Sequence, residues 1–265
     1  MEKSVLKRRV RPASFPLFAA GLSRFAGGIF PLQLALLGQE LALPLRTLLC
    51  LALAELGGVA LGLWFSLGER DSAYDQTALG LFWFFGGNLL TGLSRGAFGV
   101  LAARALVGCG RAWVERAAVL LAAGNTPMQA VAGLAYYRLL TVLFDVFAPL
   151  LGVALLVGQG AGALSFLLAF LAAVLLLCVL FLSISARKTH PVLGDIPCER
   201  ATPGANLPFF LLVACLGQWG AILLCTGGGI FVFYASGNLL MAGVVLFLLR
   251  LCLLVCRVVI LALKR

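Results

Sequence analysis

The chain has 265 residues, of which 62% are hydrophobic and only 11% charged, with a mean hydropathy of +1.08. Soluble domains carry about 25% charged residues, so a water-soluble globule is excluded. The long Leu/Ala/Gly/Val-rich runs lack the two-residue alternation of an outer-membrane barrel, and they identify an all-α polytopic membrane helix bundle.

The formal net charge is +10. Lys3, Lys7, Arg8, Arg9 and Arg11 crowd residues 1–14, the basic start of the chain. An apolar run follows to about Gly38, too long for a signal-peptide core, and reads as a retained first helix. Eight spans of membrane length are expected, over residues 15–37, 46–67, 78–94, 97–122, 130–157, 162–185, 208–233 and 238–262. The first six form one bundle over 15–185, a linker follows over 186–207, and two further helices with a basic end occupy 208–265. The linker holds Pro191, Pro197, Pro203 and the chain's one histidine, His190, which reads as a solvated loop residue.

Placing the N-terminus in the cytoplasm gives the cytoplasmic segments eleven Lys and Arg, against Arg46 and Arg95 on the opposite side. The positive-inside rule therefore predicts a multi-pass protein with both termini cytoplasmic. Topology accounts for the net charge, leaving an anionic-lipid site as the lesser alternative and no role for nucleic acid. Of the eight cysteines only Cys198 falls in a loop, and Cys252 and Cys256 share a helix face with no histidine beside them, so no metal or other cofactor is expected.

Charges inside the spans are the most informative feature. Arg24, Glu55, Arg104, Arg111, Glu115, Arg138 and Asp145 all lie in apolar stretches, where an ion costs several kcal/mol unless it faces other helices or a watery cavity. Arg104, Gly108, Arg111 and Glu115 share one stripe of the fourth span by their i, i+4, i+7, i+11 spacing, and Arg111 can pair with Glu115 along it. In the fifth, Arg138, Thr141, Asp145 and Gly152 form another, and Asp145 is the leading candidate for carrying a proton, ahead of Glu55. Intramembrane glycines such as Gly58, Gly62, Gly86 and Gly87 predict close helix packing. The run 227–229 is the best candidate for an unwound segment. No His-Glu-x-x-His, Gly-x-Ser-x-Gly or phosphate-loop pattern is present, so an enzyme is not expected.

Two of these segments resemble the major facilitator superfamily, especially its drug- and siderophore-exporter-like branch. Arg104-Ala-Leu-Val-Gly108-Cys-Gly110 is similar to the family's Arg-x-x-x-Gly-x-Gly on the fourth helix. Ala148-Pro149-Leu-Leu-Gly152 is similar to its Gly-Pro-x-x-Gly on the fifth, with Pro149 placed 45 residues after Arg104. The opening helix, with Ser23-Arg24-Phe25, also looks like those exporters. There are departures: Ala148 stands for the first glycine, the loop after the second helix lacks the family's Asp-Arg pair, and eight spans stand against the family's twelve.

The resemblance implies a six-helix N-terminal half plus two further helices in a bacterial cytoplasmic membrane. It implies proton-coupled export of a small amphipathic or hydrophobic compound by alternating access. Arg104 and Asp145 would line or lock the cavity, with Glu55 and Arg24 as ion-pair partners, and Gly108, Gly110, Pro149 and Gly152 would be the packing motifs. The expected partners are the lipid bilayer, a small-molecule substrate, and a second copy or a second transporter subunit. The alternative is a non-catalytic assembly or regulatory component derived from a transporter; a lipid-modifying enzyme is a third, weaker class.

Overall fold

The computed structural model describes residues 14–68, 72–123, 127–189 and 224–263. His190, Cys198, Trp219, the linker 186–207 beyond Thr189, and the basic residues 1–13 and 264–265 lie outside the described residues. Among the described residues the chain is all-helical: α1 (Ser14–Glu40), α2 (Leu45–Gly68), α3 (Ala73–Leu93), α4 (Ala97–Ala123), α5 (Pro127–Leu156), α6 (Gly160–Thr189), α7 (Leu224–Ser236) and α8 (Leu239–Leu263).

Six of them, all but α3 and α7, are long and apolar enough to cross a bilayer, which makes this a membrane-embedded bundle. Among the described residues, six of the eight expected spans meet that measure of length and apolarity. Helix α3 has 21 residues but carries Asp75, Gln76, Asn88 and Thr91 among its apolar ones. Helix α7 is described only from Leu224, so the expected span 208–233 lies largely outside the described residues.

Local chemistry explains the helix ends. Helix α3 begins five residues earlier than expected, because Ser72 caps it: its Oγ accepts from Asp75 N at 3.2 Å and donates to Asp75 Oδ2 at 2.7 Å. Pro127 opens α5, where a missing N–H costs nothing. Gly160, at φ +78°, makes the turn into α6, and the Ala161 N–H is capped by Glu40 Oε1 at 2.9 Å. Gly237, at φ +64°, ends α7, and Asn238 Oδ1 accepts from Leu240 N and Met241 N to start α8. The run 227–229 is continuous helix, which overturns the expectation of an unwound segment; Gly229 packs instead on Leu246 and Pro31.

Packing follows a rule. Helix α4 lies along α2 and α3 and touches α1 and α5; α1 lies along α5 and touches α4, α6 and α2; α3 lies along α6. Exchanging α1 with α4, α2 with α5 and α3 with α6 carries the pairings just named onto one another, although their extents differ and the slighter α1–α3 and α5–α6 contacts have no comparable counterpart. The first six helices thus form two three-helix units, α1–α3 and α4–α6, that touch each other more than they touch within themselves. Helix α8 adds on against α5. Helix α1 is the central member: 78% of its apolar window is buried, against 22% for α6 and α8.

Glycines set the closest approaches. A Cβ at Gly58 would strike the Ala105 carbonyl of α4, and one at Gly108 would strike the Glu55 carbonyl of α2. Gly110 faces Gly80 and Phe84 of α3, and Gly152 of α5 faces Ile29 of α1. With lipid outside, this contact between backbones supplies the association that water-driven burial supplies in soluble proteins.

Candidate functional site

Five of the seven intramembrane ions meet in one network at the crossing of α1, α2 and α4. Glu55, 3% exposed, projects from the middle of α2 against the Arg104–Glu115 stripe of α4. Its Oε2 accepts from Arg104 Nε at 3.0 Å and Nη2 at 2.5 Å, and its Oε1 accepts from Arg111 Nη1. Gly108 lies between the two arginines and lets the α2 backbone close in, so motif glycine and ion pairs serve the same contact.

Arg104, 1% exposed, is satisfied from two helices, α2 and α1. Beyond Glu55, its Nη1 donates to Gln33 Oε1 of α1 at 3.4 Å, and its guanidinium sits over the Phe30 ring, 4.3 Å from the centroid. Gln33 Nε2 then donates to Ser165 Oγ of α6 at 2.7 Å, and Ser165 donates to the Ala161 carbonyl. This dry end of the network ties both three-helix units together.

The other end is wetter. Glu115 accepts from Arg24 Nη2 at 2.6 Å and from Ser23 Oγ at 3.2 Å. Arg24 and Glu115 are each about a fifth exposed. The Arg111–Glu115 pairing expected along the helix exists only at 4.0 Å, because Arg111 turns towards Glu55. Arg24 is thus a partner of Glu115, while Glu55 is the partner of Arg104 and Arg111.

Asp145 stands apart from that network and pairs with Arg250 of α8, whose Nη1 contacts both its carboxylate and its backbone carbonyl. Arg250 Nη2 also donates to the Gly27 carbonyl of α1 at 3.4 Å. Arg250 is buried, whereas the Asp145 side chain is 45% exposed. Arg138 is exposed and outside both clusters, although it shares the helix with Asp145: the buried face of α5 centres on Tyr137, Thr141, Ala148 and Gly152. The Pro149 carbonyl lies near Gly243 of α8, so the Ala-Pro-x-x-Gly segment carries the contacts of α5 to both α1 and α8.

Sequence reasoning missed Arg250, Gln33, Ser23 and Ser165. The signal for Arg250 was the same one that marked Arg104, a charge in the centre of an apolar span. Gln33 and Ser165 are neutral and small in cost, and only the fold shows that they connect to an ion.

Chemically, the arrangement offers fixed guanidinium groups, one enclosed carboxylate that is already doubly paired, and one half-exposed carboxylate paired with Arg250. No protein-family model matches the chain, and no curated protein matches it.

Proposed function

We propose that the chain is a transporter-like membrane protein of the major facilitator type, moving a small amphipathic or hydrophobic compound across the bilayer by alternating access, with proton coupling at Asp145. The observation that supports this reading is the corresponding set of main pairings made by α1–α3 and α4–α6. Nested three-helix repeats, with ionised groups near mid-span where the repeats meet, are the construction by which secondary transporters rock around a fixed site. Export is the direction implied by the resemblance of the fourth and fifth helices to exporters.

In this reading the two ion clusters have different tasks. Glu55 and Arg104 are enclosed and satisfied from neighbouring helices, so they hold the six-helix unit together through the cycle. Asp145 is open to exchange and bonds across to α8. A proton on its carboxyl removes the charge that holds Arg250 and leaves that guanidinium on backbone carbonyls alone, which loosens α8 from α1 and α5.

The test is movement of permanently charged lipophilic dyes, one cationic and one anionic, in everted membrane vesicles carrying the full chain under an imposed proton gradient. Gradient-dependent movement of either dye, lost in Asp145→Asn, is the expected result. Correctly inserted protein that moves neither dye overturns the proposal in favour of a non-transporting assembly or regulatory component.

A further inference from the structure

Gly27, the central residue of α1, is approached from two sides by arginines of other helices. The Arg111 guanidinium from α4 fills the space that a Cβ at Gly27 would take, and Arg250 from α8 donates to the Gly27 carbonyl. Arg24 lies one turn away on the same face. A Cβ at Gly27 would have to displace the end of the Arg111 side chain.

The charges around that notch do not balance. Among the described residues, Arg24, Arg104, Arg111 and Arg250 face Glu55, Glu115 and Asp145, one cation more than the carboxylates neutralise. All three carboxylates are already engaged. Meanwhile the Nε–H groups of Arg24, Arg111 and Arg250 are buried with no acceptor among the described residues. What the cluster lacks is one negative charge with several acceptor oxygens, and a guanidinium binds such a group through paired hydrogen bonds. An uncompensated cation at bilayer depth makes its neutralisation favourable.

Access exists at the same level. Arg24, Gly27, Arg111 and Glu115 are partly exposed and Asp145 nearly half so, whereas α1 is closed from Gly28 through Pro31. Gly27 lies about 20 Å along the helix from either end of α1, beyond the reach of a lipid head group held at the interface. Phe25, two residues before Gly27, packs edge to face on Phe144 with centroids 6.4 Å apart; both are partly exposed and offer apolar contact to a tail.

Building on the transporter reading, we propose that the compound bound is an amphipathic anion, its single anionic head group held between Arg111 and Arg250 at the Gly27 notch and its apolar part against Phe25 and Phe144.

The experiment compares three probes of one chain length on the full chain in zwitterionic-lipid nanodiscs, with empty discs subtracted. They are octanesulfonate, octyltrimethylammonium and octyl glucoside, and binding is measured calorimetrically without any proton gradient. Octanesulfonate is expected to bind about tenfold or more tightly than either other probe, and Arg250→Gln and Arg111→Gln each to weaken it by about tenfold, while Arg95→Gln, in an exposed loop, leaves it unchanged. Equal binding of the three probes, or preference for the cation, in the unaltered protein overturns the proposal whether or not the variants fold. Selective sulfonate binding by protein that moves neither dye in vesicles would retain the anion site and remove the transport reading, so the two failures are separable.

Discussion

Glu55 and Arg104 form a two-point contact between α2 and α4, a single carboxylate oxygen of Glu55 accepting from both Nε and Nη2 of Arg104. Both side chains are at most 4% exposed, and the second oxygen of Glu55 holds Arg111. A buried pair of this kind adds little net stability, because desolvation offsets the attraction, but losing one member strands the other. Glu55→Gln strands two guanidinium groups, so it is expected to destabilise the bundle by about 3–5 kcal/mol. Thermal unfolding of the detergent-solubilised protein measures this. The double variant Glu55→Gln, Arg104→Met should recover part of the loss, and a double variant no more stable than Glu55→Gln alone would show that the pair is not the source.

Gly108→Ala and Gly86→Ala are chemically the same change with opposite surroundings. At Gly108 the new methyl meets the backbone carbonyl of Glu55, which has no soft side-chain atom to yield, so α2 and α4 must part and the ion pairs beside them lengthen. At Gly86 there is nothing within 4 Å. Gly108→Ala is expected to cost about 1–3 kcal/mol as overpacking, while Gly86→Ala gains about 0.5–1 kcal/mol from helix propensity. Melting temperatures of the two variants should therefore move in opposite directions, and parallel shifts would refute the packing assignment.

The α4 stripe was legible because its spacing alone puts Arg104, Gly108, Arg111 and Glu115 on one face, and that face does meet α1 and α2. Helical class and approximate spans followed from long apolar runs. Partner choice was not legible: nothing in a local pattern says that Glu55 takes two arginines while Arg24 goes to Glu115. Arg138 shows the opposite limit: period alone placed it with Asp145, yet it lies two turns, about 10 Å, along α5 from that residue and is exposed there. The start of α3 was misplaced because an aspartate and a serine near a loop read as loop, when together they make a cap. Of the first six helices, α3 alone falls short of a span's apolarity, because it carries Asn88 and Thr91, which are buried and bond back to their own helix's carbonyls.

Glu40, at the end of α1, reaches across to cap the first turn of α6 at Ala161. Its loss leaves a backbone N–H without an acceptor where Gly160 has already spent the conformational freedom needed for the turn. Glu40→Ala is expected to cost about 0.5–2 kcal/mol, in the range of other lost N-caps. The effect should be local: hydrogen exchange at Ala161 and the next residues quickens, while exchange in the middle of α4 stays as it was. Equal acceleration throughout the bundle would mean that the carboxylate does more than cap.

Asp145 and Arg250 join α5 to α8, and the half-exposed carboxylate makes their coupling weaker than that of Glu55 with Arg104. Asp145→Asn leaves Arg250 with the carbonyls of Asp145 and Gly27, which keep some of the hold, so a loss of about 1–2 kcal/mol is expected, well below that of Glu55→Gln. Arg250→Gln in the Asp145→Asn background should then cost less than Arg250→Gln alone, because the ion pair is already gone in that background. Additive losses in that cycle would show the two side chains to be uncoupled. If they are coupled, a proton on Asp145 acts on α8 as the amide does, and the vesicle assay should show Asp145→Asn protein inserted, folded and unable to follow the gradient. A folded Asp145→Asn protein that still moves dye with the gradient would assign the proton to another group, with Glu115, the remaining partly exposed carboxylate of the network, the one to replace next.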